Sequence, residues 1–323
     1  MLTLPARVRR RPAYRTFDVR VARVERLSPH FARVTFAGDE LELFGGLGFD
    51  HRIKVVFPHD EHGFAHFPEG DDWYPAWREL PDGLRNAFRT YTIRRQRIEL
   101  REVDVDFALH GTCGPASRWA TGARPGDRVL LIGPDARSDE AVGGIDWRPG
   151  TVSEVLIAGD ETAVPAVGAI LEHLPADARG HVFLEVPSRA DVLELRAPAG
   201  IRIAWLPRDE VEADAAHGEL LVNAVTNHAR ARATVVASGF GVLSSSLLER
   251  QEALEAAERT DTEAVPVWDV PAGRSLDGDA YAWVAGEASA VKAIRRFLVR
   301  DLGMDRRRVA FMGYWRQGRA EIE

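Results

Sequence analysis

The chain has 323 residues, of which 45% are hydrophobic, so it is long enough for two compact domains with their own cores. Its formal net charge of −7 argues against a general nucleic-acid binder, and no apolar run reaches the roughly 18 residues of a membrane span. The single cysteine, Cys113, excludes an internal disulfide, and no histidine and cysteine cluster suggests zinc. The N-terminus lacks the apolar centre of a secretory signal, so a reducing cytoplasm fits best. We expect the arginine-rich residues 1–14 to form a solvated basic tail.

Alternating apolar residues dominate the first half of the chain and predict β-strands. The alternation is clear at 17–21, 53–57 and 103–109, and proline, glycine and aspartate separate the apolar runs. An antiparallel barrel is the natural closure of such a sheet, because it leaves no free edges.

The segment RTYTIR, residues 89–94, places arginines around an aromatic residue within one of these strands. Arg89 and Tyr91 share one strand face, about 7 Å apart, while Thr92 and Arg94 share the other. A guanidinium suits a pyrophosphate, a phenol ring suits a flat heteroaromatic, and a threonine hydroxyl can donate to a ring atom. The combination fits a flavin dinucleotide, and the alternative is a charged outer strand face.

A second motif, residues 106–120, leaves a strand, passes through a Gly-Pro-Ala-Ser turn and enters a short helix-like stretch. Gly111 and Gly114 permit close backbone approach, and amides at a helix N-terminus favour a phosphate. Ser117 offers another donor. His110 could contact a phosphate or ribose, although a histidine at a strand end is more often simply hydrogen-bonded.

After residues 143–144 the pattern changes to strands that alternate with helices, which predicts a parallel sheet covered on both faces. The spacing predicts strands over 154–161, 181–186, 201–206, 233–240 and 281–287, and helices over 162–174, 223–232 and 288–303. Residues 242–280 form an insertion, with an amphipathic helix over 243–261 and an extended loop after it.

The turn AGDETAVPA, residues 158–166, follows the first strand of this second half. It is not a G-x-G-x-x-G fingerprint, and Thr162 is well suited to plain helix capping. A ligand role for Asp160 and Thr162 is suggested by position alone, because parallel sheets bind ligands at the carboxyl ends of their strands.

In order, the segments RTYTIR, DFALHG with GPASRWA, GDETAVPA, WVAGE and GYWRQG resemble the siderophore-interacting protein family, the ferric-siderophore reductases. The resemblance spans 89–318. It implies a ferredoxin-reductase-like β + α/β fold: a six-stranded antiparallel FAD-binding barrel at 15–138, then a Rossmann-like parallel-sheet NAD(P)H-binding domain at 150–302. It also implies that residues 303–323 return to the flavin and substrate cleft.

The resemblance implies a cytoplasmic ferric-siderophore reductase that passes electrons from NAD(P)H through FAD to chelated Fe(III). A general flavin reductase, an oxygenase-partner reductase and a non-catalytic chelate carrier are the alternatives. The flavin carries the chemistry, so we nominate no general acid or base and no protein metal ligand. We expect a monomer, no nucleic-acid partner and no membrane insertion.

The site residues that the resemblance implies fall into three groups. FAD would be held by Arg89, Tyr91, Thr92, Arg94, Asp106, His110, Gly111, Gly114, Pro115, Ala116, Ser117 and Trp119. The anionic chelate would meet Lys54, Arg316 and Arg319. NADPH would be held by Ser188 and Arg189, a pair suited to its 2′-phosphate, together with Asp160 and Thr162, with NADH or ferredoxin as the alternative electron donor.

Overall fold

The computed structural model describes residues 11–70, 72–111, 114–140, 143–211, 215–239, 268–271 and 278–318, so Cys113, Arg319 and most of the 242–280 insertion lie outside it. The chain divides into two compact units between Ile145 and Asp146. Tyr14, expected at the end of the basic tail, already belongs to the first strand.

The first unit is a curled antiparallel sheet, as predicted. Its seven strands are β1 (Tyr14–Ser28), β2 (Phe31–Ala37), β3 (Arg52–Val56), β4 (Phe88–Thr92), β5 (Arg95–Arg97), β6 (Glu102–Ala108) and β7 (Arg128–Pro134), in the order β4-β3-β7-β1-β2-β6-β5. The prediction of six strands was wrong by one. The strand pairing is interrupted at Ile93 and Arg94, at the end of RTYTIR, so that β4 ends before this point and β5 begins after it.

Two apolar clusters lie on the two faces of this sheet. The curl encloses the larger one, which includes Phe17, Phe36 and Phe107. Helix α1 (Trp73–Glu79) contributes the fully buried Trp77 to a second cluster around Val56 and Phe88. The short helix α2 (Pro115–Gly122) begins where the Gly-Pro-Ala-Ser turn predicted it.

The second unit is an α/β fold around a six-stranded sheet, as the alternation predicted. The strands are β8 (Val152–Gly159), β9 (Arg179–Val186), β10 (Gly200–Pro207), β11 (Trp268–Asp269), β12 (Gly278–Glu287) and β13 (Val309–Trp315), in the order β10-β9-β8-β12-β13-β11. All neighbouring pairs are parallel except β11 with β13. The helices within the described part of this unit are α3 (Val164–His173), α4 (Glu219–Gly239) and α5 (Ala288–Arg295), which continues as a π-helical turn to Asp301.

One predicted strand of this unit was wrong. The segment 233–240 was expected as a strand of the sheet, yet 233–239 continues helix α4. No proline or glycine interrupts the helix from Glu219 to Ser238, and strand propensity is easily overridden by context. The strand beside β12 is instead β13, from the segment that sequence analysis had set apart at 303–323.

None of the helices within the described ranges combines the length and the hydropathy that a membrane span requires.

Candidate functional site

In the first unit, the arginine-tyrosine-threonine segment lies on β4 and is held by β3. Tyr91 pairs with Ile53, and Thr92 pairs with Arg52. The half-buried Tyr91 ring packs on Phe107, with 4.4 Å between the ring centroids, whereas Thr92 is buried. Tyr91 thus has one ring face fixed by the core.

The bend after β4 fixes Arg94 through strand β6. Its backbone N–H donates to the Asp104 carbonyl at 2.9 Å, and its guanidinium Nε lies 3.6 Å from Asp106 Oδ2. Asp106 also accepts two hydrogen bonds from Arg33, at 2.7 and 2.8 Å, and is buried. The carboxylate of Asp106 therefore holds arginines in place, and a negative group so buried is poorly suited to touch a phosphate itself.

Arg89 lies at the other end of the segment and is half-buried. Its guanidinium Nη1 donates to the Phe88 carbonyl at 2.6 Å. This bond orients the planar group beside β4.

In the turn between β6 and α2, of which residues 109–111 and 114 are described, the two glycines have open space beside them. Gly111 has a φ of +64°, and a Cβ added at Gly111 or Gly114 would meet no atom within 4 Å. Gly114 is the N-cap of α2, no side chain caps the helix there, and Pro115 follows. The His110 N–H donates to Ser117 Oγ at 3.4 Å, while the His110 residue is exposed. Such a turn offers donors and space to a phosphate.

One buried ring brings the two motifs together. Phe107 contacts Tyr91 and also Trp119 of α2, the latter at 5.8 Å between centroids. Trp119 packs further on Phe57 at 5.3 Å, and Ala116 is buried in the same core. Tyr91 of the first motif and Trp119 of the second therefore pack on the same buried ring. A phenol, guanidinium groups and helix-start amides are the residue types that suit a flat ring joined to a pyrophosphate, as in FAD.

Lys54 lies on the other face of β3. It pairs with Thr90, and its Nζ is 4.8 Å from the Phe88 ring centroid and 3.4 Å from Thr90 Oγ1. Lys54 thus points away from the strand face that carries Tyr91, as its alternation with Ile53 and Val55 predicted.

In the second unit, three sequence motifs converge on Asp160, which is 1% exposed. Oδ1 accepts the Thr162 N–H at 2.9 Å and the Thr162 hydroxyl at 2.5 Å. Oδ2 accepts the Glu287 N–H at 2.7 Å and the Trp315 indole N–H at 2.8 Å. Gly286 has a φ of +142°, and a Cβ there would lie 2.7 Å from the Asp160 carboxyl carbon, so β12 needs glycine at this position. GDETAVPA, WVAGE and GYWRQG are therefore one buried junction.

Glu161 is the centre of an ion-pair network that sequence analysis missed. Arg208 donates to both of its carboxylate oxygens at 3.0 Å, and His217 Nε2 lies 3.1 Å from Oε1. Arg208 also donates to the buried Glu185 at 3.1 Å. These residues come from the turns after β8 and β10, the end of β9 and the start of α4, so only the fold brings them together.

The two adjacent carboxyls have opposite pKa shifts. Burial, together with the negative charge of Glu161, raises the pKa of Asp160 to about 6. Burial alone would raise the pKa of Glu161 as well, but the hydrogen bonds from His217 and Arg208 outweigh it and lower that pKa to about 2. Burial opposes a charge on His217, yet its bond to Glu161 raises the pKa of the imidazole.

The ligand atoms of Asp160, Glu161 and His217 lie within 4.8 Å of one another, a spacing that a metal ion can use. Their oxygens, however, already accept hydrogen bonds from Thr162, Arg208 and other protein donors. The carboxylate oxygens of this cluster are thus already hydrogen-bonded by the protein, as in an ion-pair network.

Acidic side chains also occupy two helix N-termini at this edge of the sheet. Glu185 accepts the N–H groups of Gly218 and Leu221 at α4, at 2.7 and 2.9 Å. Glu287 accepts those of Ser289 and Ala290 at α5, at 2.6 and 3.1 Å. Helix α3 differs, because no side chain caps its start at Ala163.

The proposed ribose residues follow β9. Ser188 closes a capping box with Asp191: its hydroxyl donates to Oδ2 at 2.7 Å. Arg189 is exposed, its N–H donates to Asp209, and its guanidinium lies 3.4 Å from the carboxylate of Glu210. Arg189 is accessible to a 2′-phosphate, with Glu210 as a competitor.

Arg316 directly follows β13 and is half-buried. It belongs to the second unit and Lys54 to the first, and Arg319 lies outside the described residues. The three-cation substrate site stays a prediction.

The comparisons with known proteins agree with the five motifs. Residues 20–138 match the siderophore-interacting FAD-binding domain, and residues 152–318 match the siderophore-interacting protein family. The ferric vibriobactin reductase ViuB of Vibrio cholerae is 31% identical over 299 residues, covering 91% of this chain and 87% of that protein. The NADPH-dependent ferric-chelate reductase of Escherichia coli is 32% identical over 225 residues, covering 68% and 82%.

A solved structure extends the likeness to three dimensions. The siderophore-interacting protein SipS from Aeromonas hydrophila is 30% identical, with a TM-score of 0.62 over 96% of this chain and 95% of that chain. The resemblance seen in the sequence is confirmed, and this chain belongs to the siderophore-interacting protein family.

Proposed function

We propose that this protein is a cytoplasmic ferric-siderophore reductase, which takes electrons from NADPH, passes them through FAD to chelated Fe(III), and releases Fe(II). Two relatives support the proposal by name, one as a ferric vibriobactin reductase and one as an NADPH-dependent ferric-chelate reductase. The match to a siderophore-interacting FAD-binding domain supports the cofactor.

The observation that carries the proposal is the shared contact of Tyr91 and Trp119 with Phe107. It joins the arginine-tyrosine-threonine strand to the open turn before α2. In this assignment Tyr91 lies against the flat ring system, Arg89 and Arg94 neutralise the pyrophosphate, and the amides after Gly114 receive its oxygens.

Bound FAD supplies the redox chemistry, because a flavin can accept two electrons together and give them up singly. The protein's own residues bind and orient. Lys54, Arg316 and Arg319 attract an anionic chelate by their field, and no side chain needs to hold or move a proton. The chelator holds Fe(II) more weakly than Fe(III), so reduction releases the metal.

Arg189 supports NADPH as the electron donor, since an exposed guanidinium suits a 2′-phosphate. Glu210, 3.4 Å away, acts against that preference, and for this reason NADH and ferredoxin are tested beside NADPH.

The test is anaerobic reduction of the purified holoprotein. It should be yellow, should be bleached by NADPH, and should recover its colour when a ferric siderophore is added, with Fe(II) trapped by a chromogenic chelator. Recovery with free flavin or dioxygen but not with ferric chelates would indicate a general flavin reductase or an oxygenase partner. Tight ferric-chelate binding without bleaching by NADPH, NADH or reduced ferredoxin would indicate a carrier.

A further inference from the structure

We propose that Asp160 is a positioning residue that fixes the end of strand β13 and so places Arg316 for an anionic ferric chelate. The inference rests on the proposed function, because it assigns the chelate to Arg316. The GDETAVPA turn would then position strand β13 in addition to its predicted part in the nucleotide site.

Arg316 lies between two residues that buried carboxylates hold. On one side, the Trp315 indole N–H donates to Asp160 Oδ2 at 2.8 Å. On the other side, the Gln317 backbone N–H donates to Glu287 Oε1 at 3.3 Å. The backbone of Arg316 is therefore fixed at both ends, although the residue lies after the last hydrogen-bonded strand.

Trp315 is restrained from a second direction as well. Its ring meets His217 edge to face, with 4.7 Å between the centroids. His217 is in turn bound to Glu161, which Arg208 holds. The indole is thus fixed by a hydrogen bond at its nitrogen and by packing on its ring.

The charge of Asp160 matters for this task, because its hydrogen-bond partners among the described residues are all donors. They are the Thr162 N–H and hydroxyl, the Glu287 N–H and the Trp315 N–H. An ionised carboxylate accepts from all four, whereas an amide of the same shape would turn its own N–H groups towards donors. Asp160→Asn should therefore loosen Trp315.

The test compares two tryptophan variants in the full-length flavoprotein. Trp315→Phe keeps a ring beside His217 and removes the indole N–H. Trp147→Phe is the matched control: it is a buried tryptophan of the same unit whose ring packs on Tyr281 at 5.3 Å. The probes are ferric tris(catecholate) and ferric citrate, titrated into oxidised protein without NADPH.

We expect Trp315→Phe to weaken chelate binding about tenfold and to raise KM for the chelate, while KM for NADPH stays within about twofold. Trp147→Phe should leave both the chelate affinity and KM for the chelate unchanged. Asp160→Asn should also weaken chelate binding. The double variant should be weaker than either single variant by less than the product of their effects, because both substitutions break the Asp160–Trp315 bond. NMR spectra of protein with ¹⁵N-labelled tryptophan indoles report this hydrogen bond directly. The indole N–H signal that is absent from the spectrum of Trp315→Phe belongs to Trp315, and its chemical shift should change in Asp160→Asn.

Wild-type chelate affinity in Trp315→Phe, or effects of the two substitutions that multiply, would overturn the positioning role. Failure of the wild type to bind or reduce either ferric chelate would instead refute the proposed function. The two outcomes can be told apart, because the first is a property of Trp315→Phe and the second is a property of the wild-type protein.

Discussion

The buried Glu161 ion pair leads to a specific prediction about acid stability. Glu161 is 1% exposed, and its pKa falls from 4.5 to about 2 because His217 and Arg208 donate to it. A carboxyl with that shift contributes about 3 kcal/mol to folding at neutral pH. Because the folded-state pKa is the lower one, the contribution is complete above pH 4.5 and is lost as the pH falls towards 2.

Glu161→Gln should therefore destabilise the second unit by about 3 kcal/mol near neutral pH. Arg208 and His217 would lose a buried charged partner, although Arg208 would keep Glu185 at 3.1 Å. Glu154→Gln is the control, because Glu154 pairs with the exposed Arg232 in the same unit, and surface pairs contribute roughly 1 kcal/mol at most.

Asp160 contributes with the opposite sign. Its pKa is raised from 3.8 to about 6, so it favours the folded state fully below pH 3.8 and loses that contribution as the pH rises through 6. The wild type should gain stability as the pH falls from about 6 and lose it again below about 4.5. Glu161→Gln should not show this loss of stability below about pH 4.5.

Urea unfolding at a series of pH values measures these effects. Tryptophan fluorescence follows the whole chain and flavin release follows the first unit, so two transitions can be separated. Equal stability of Glu161→Gln and wild type at neutral pH, with the same loss in acid, would refute the reasoning.

Three further substitutions test the binding assignments. Tyr91→Ala should raise the Kd for FAD about thirtyfold, because about 2 kcal/mol of contact with the ring is lost. Tyr74 is an exposed tyrosine on α1, and Tyr74→Ala should leave the Kd unchanged. Unchanged flavin affinity in Tyr91→Ala would contradict the assignment. Lys54→Gln should raise KM for an anionic chelate several-fold and make this KM less dependent on salt concentration. Lys292→Gln on α5 is the control and should leave the steady-state kinetics unchanged. Equal effects of the two substitutions would exclude a local role for Lys54. Arg189→Ala should raise KM for NADPH about tenfold and leave KM for NADH unchanged, and a parallel rise for both would remove the 2′-phosphate assignment.

The strand and helix alternation was sufficient to predict both halves of the fold. The apolar period of residues 17–21 lies within β1, that of 103–109 coincides with β6 up to its end at Ala108, and the strand before Asp160 is β8. The count of six strands, which the resemblance implied, differs by one because the strand pairing is interrupted at Ile93 and Arg94, between β4 and β5. The strand predicted at 233–240 was wrong because the helix predicted at 223–232 continues through 239.

The candidate sites were predictable where one short segment carries the chemistry, and not where the fold assembles it. RTYTIR and the Gly-Pro-Ala-Ser turn could be found from local residue types. Arg208, His217 and Glu185 could not, because their partners are 23 to 56 positions away in the chain. The acidic pair after β8 was the available indication, since two adjacent carboxylates at a strand end need nearby cations once they are buried.

The acidic groups at the edge of the second sheet restrict where a dinucleotide phosphate can bind. Helix N-termini attract phosphates through unpaired amides, yet Glu185 takes the amides of α4 and Glu287 takes those of α5. A phosphate at either helix would have to displace a buried carboxylate and leave its charge unpaired, which costs several kcal/mol. Ala163 has no capping side chain at the start of α3, but Asp160 Oδ1 accepts the Thr162 N–H one residue earlier, and the buried Asp160 and Glu161 carboxylates oppose a phosphate there as well. The exposed Arg189 carries no such cost. Arg189, after β9, is therefore where we expect a phosphate group of the dinucleotide at this edge, whereas the turn from β8 to α3 holds Trp315 through Asp160.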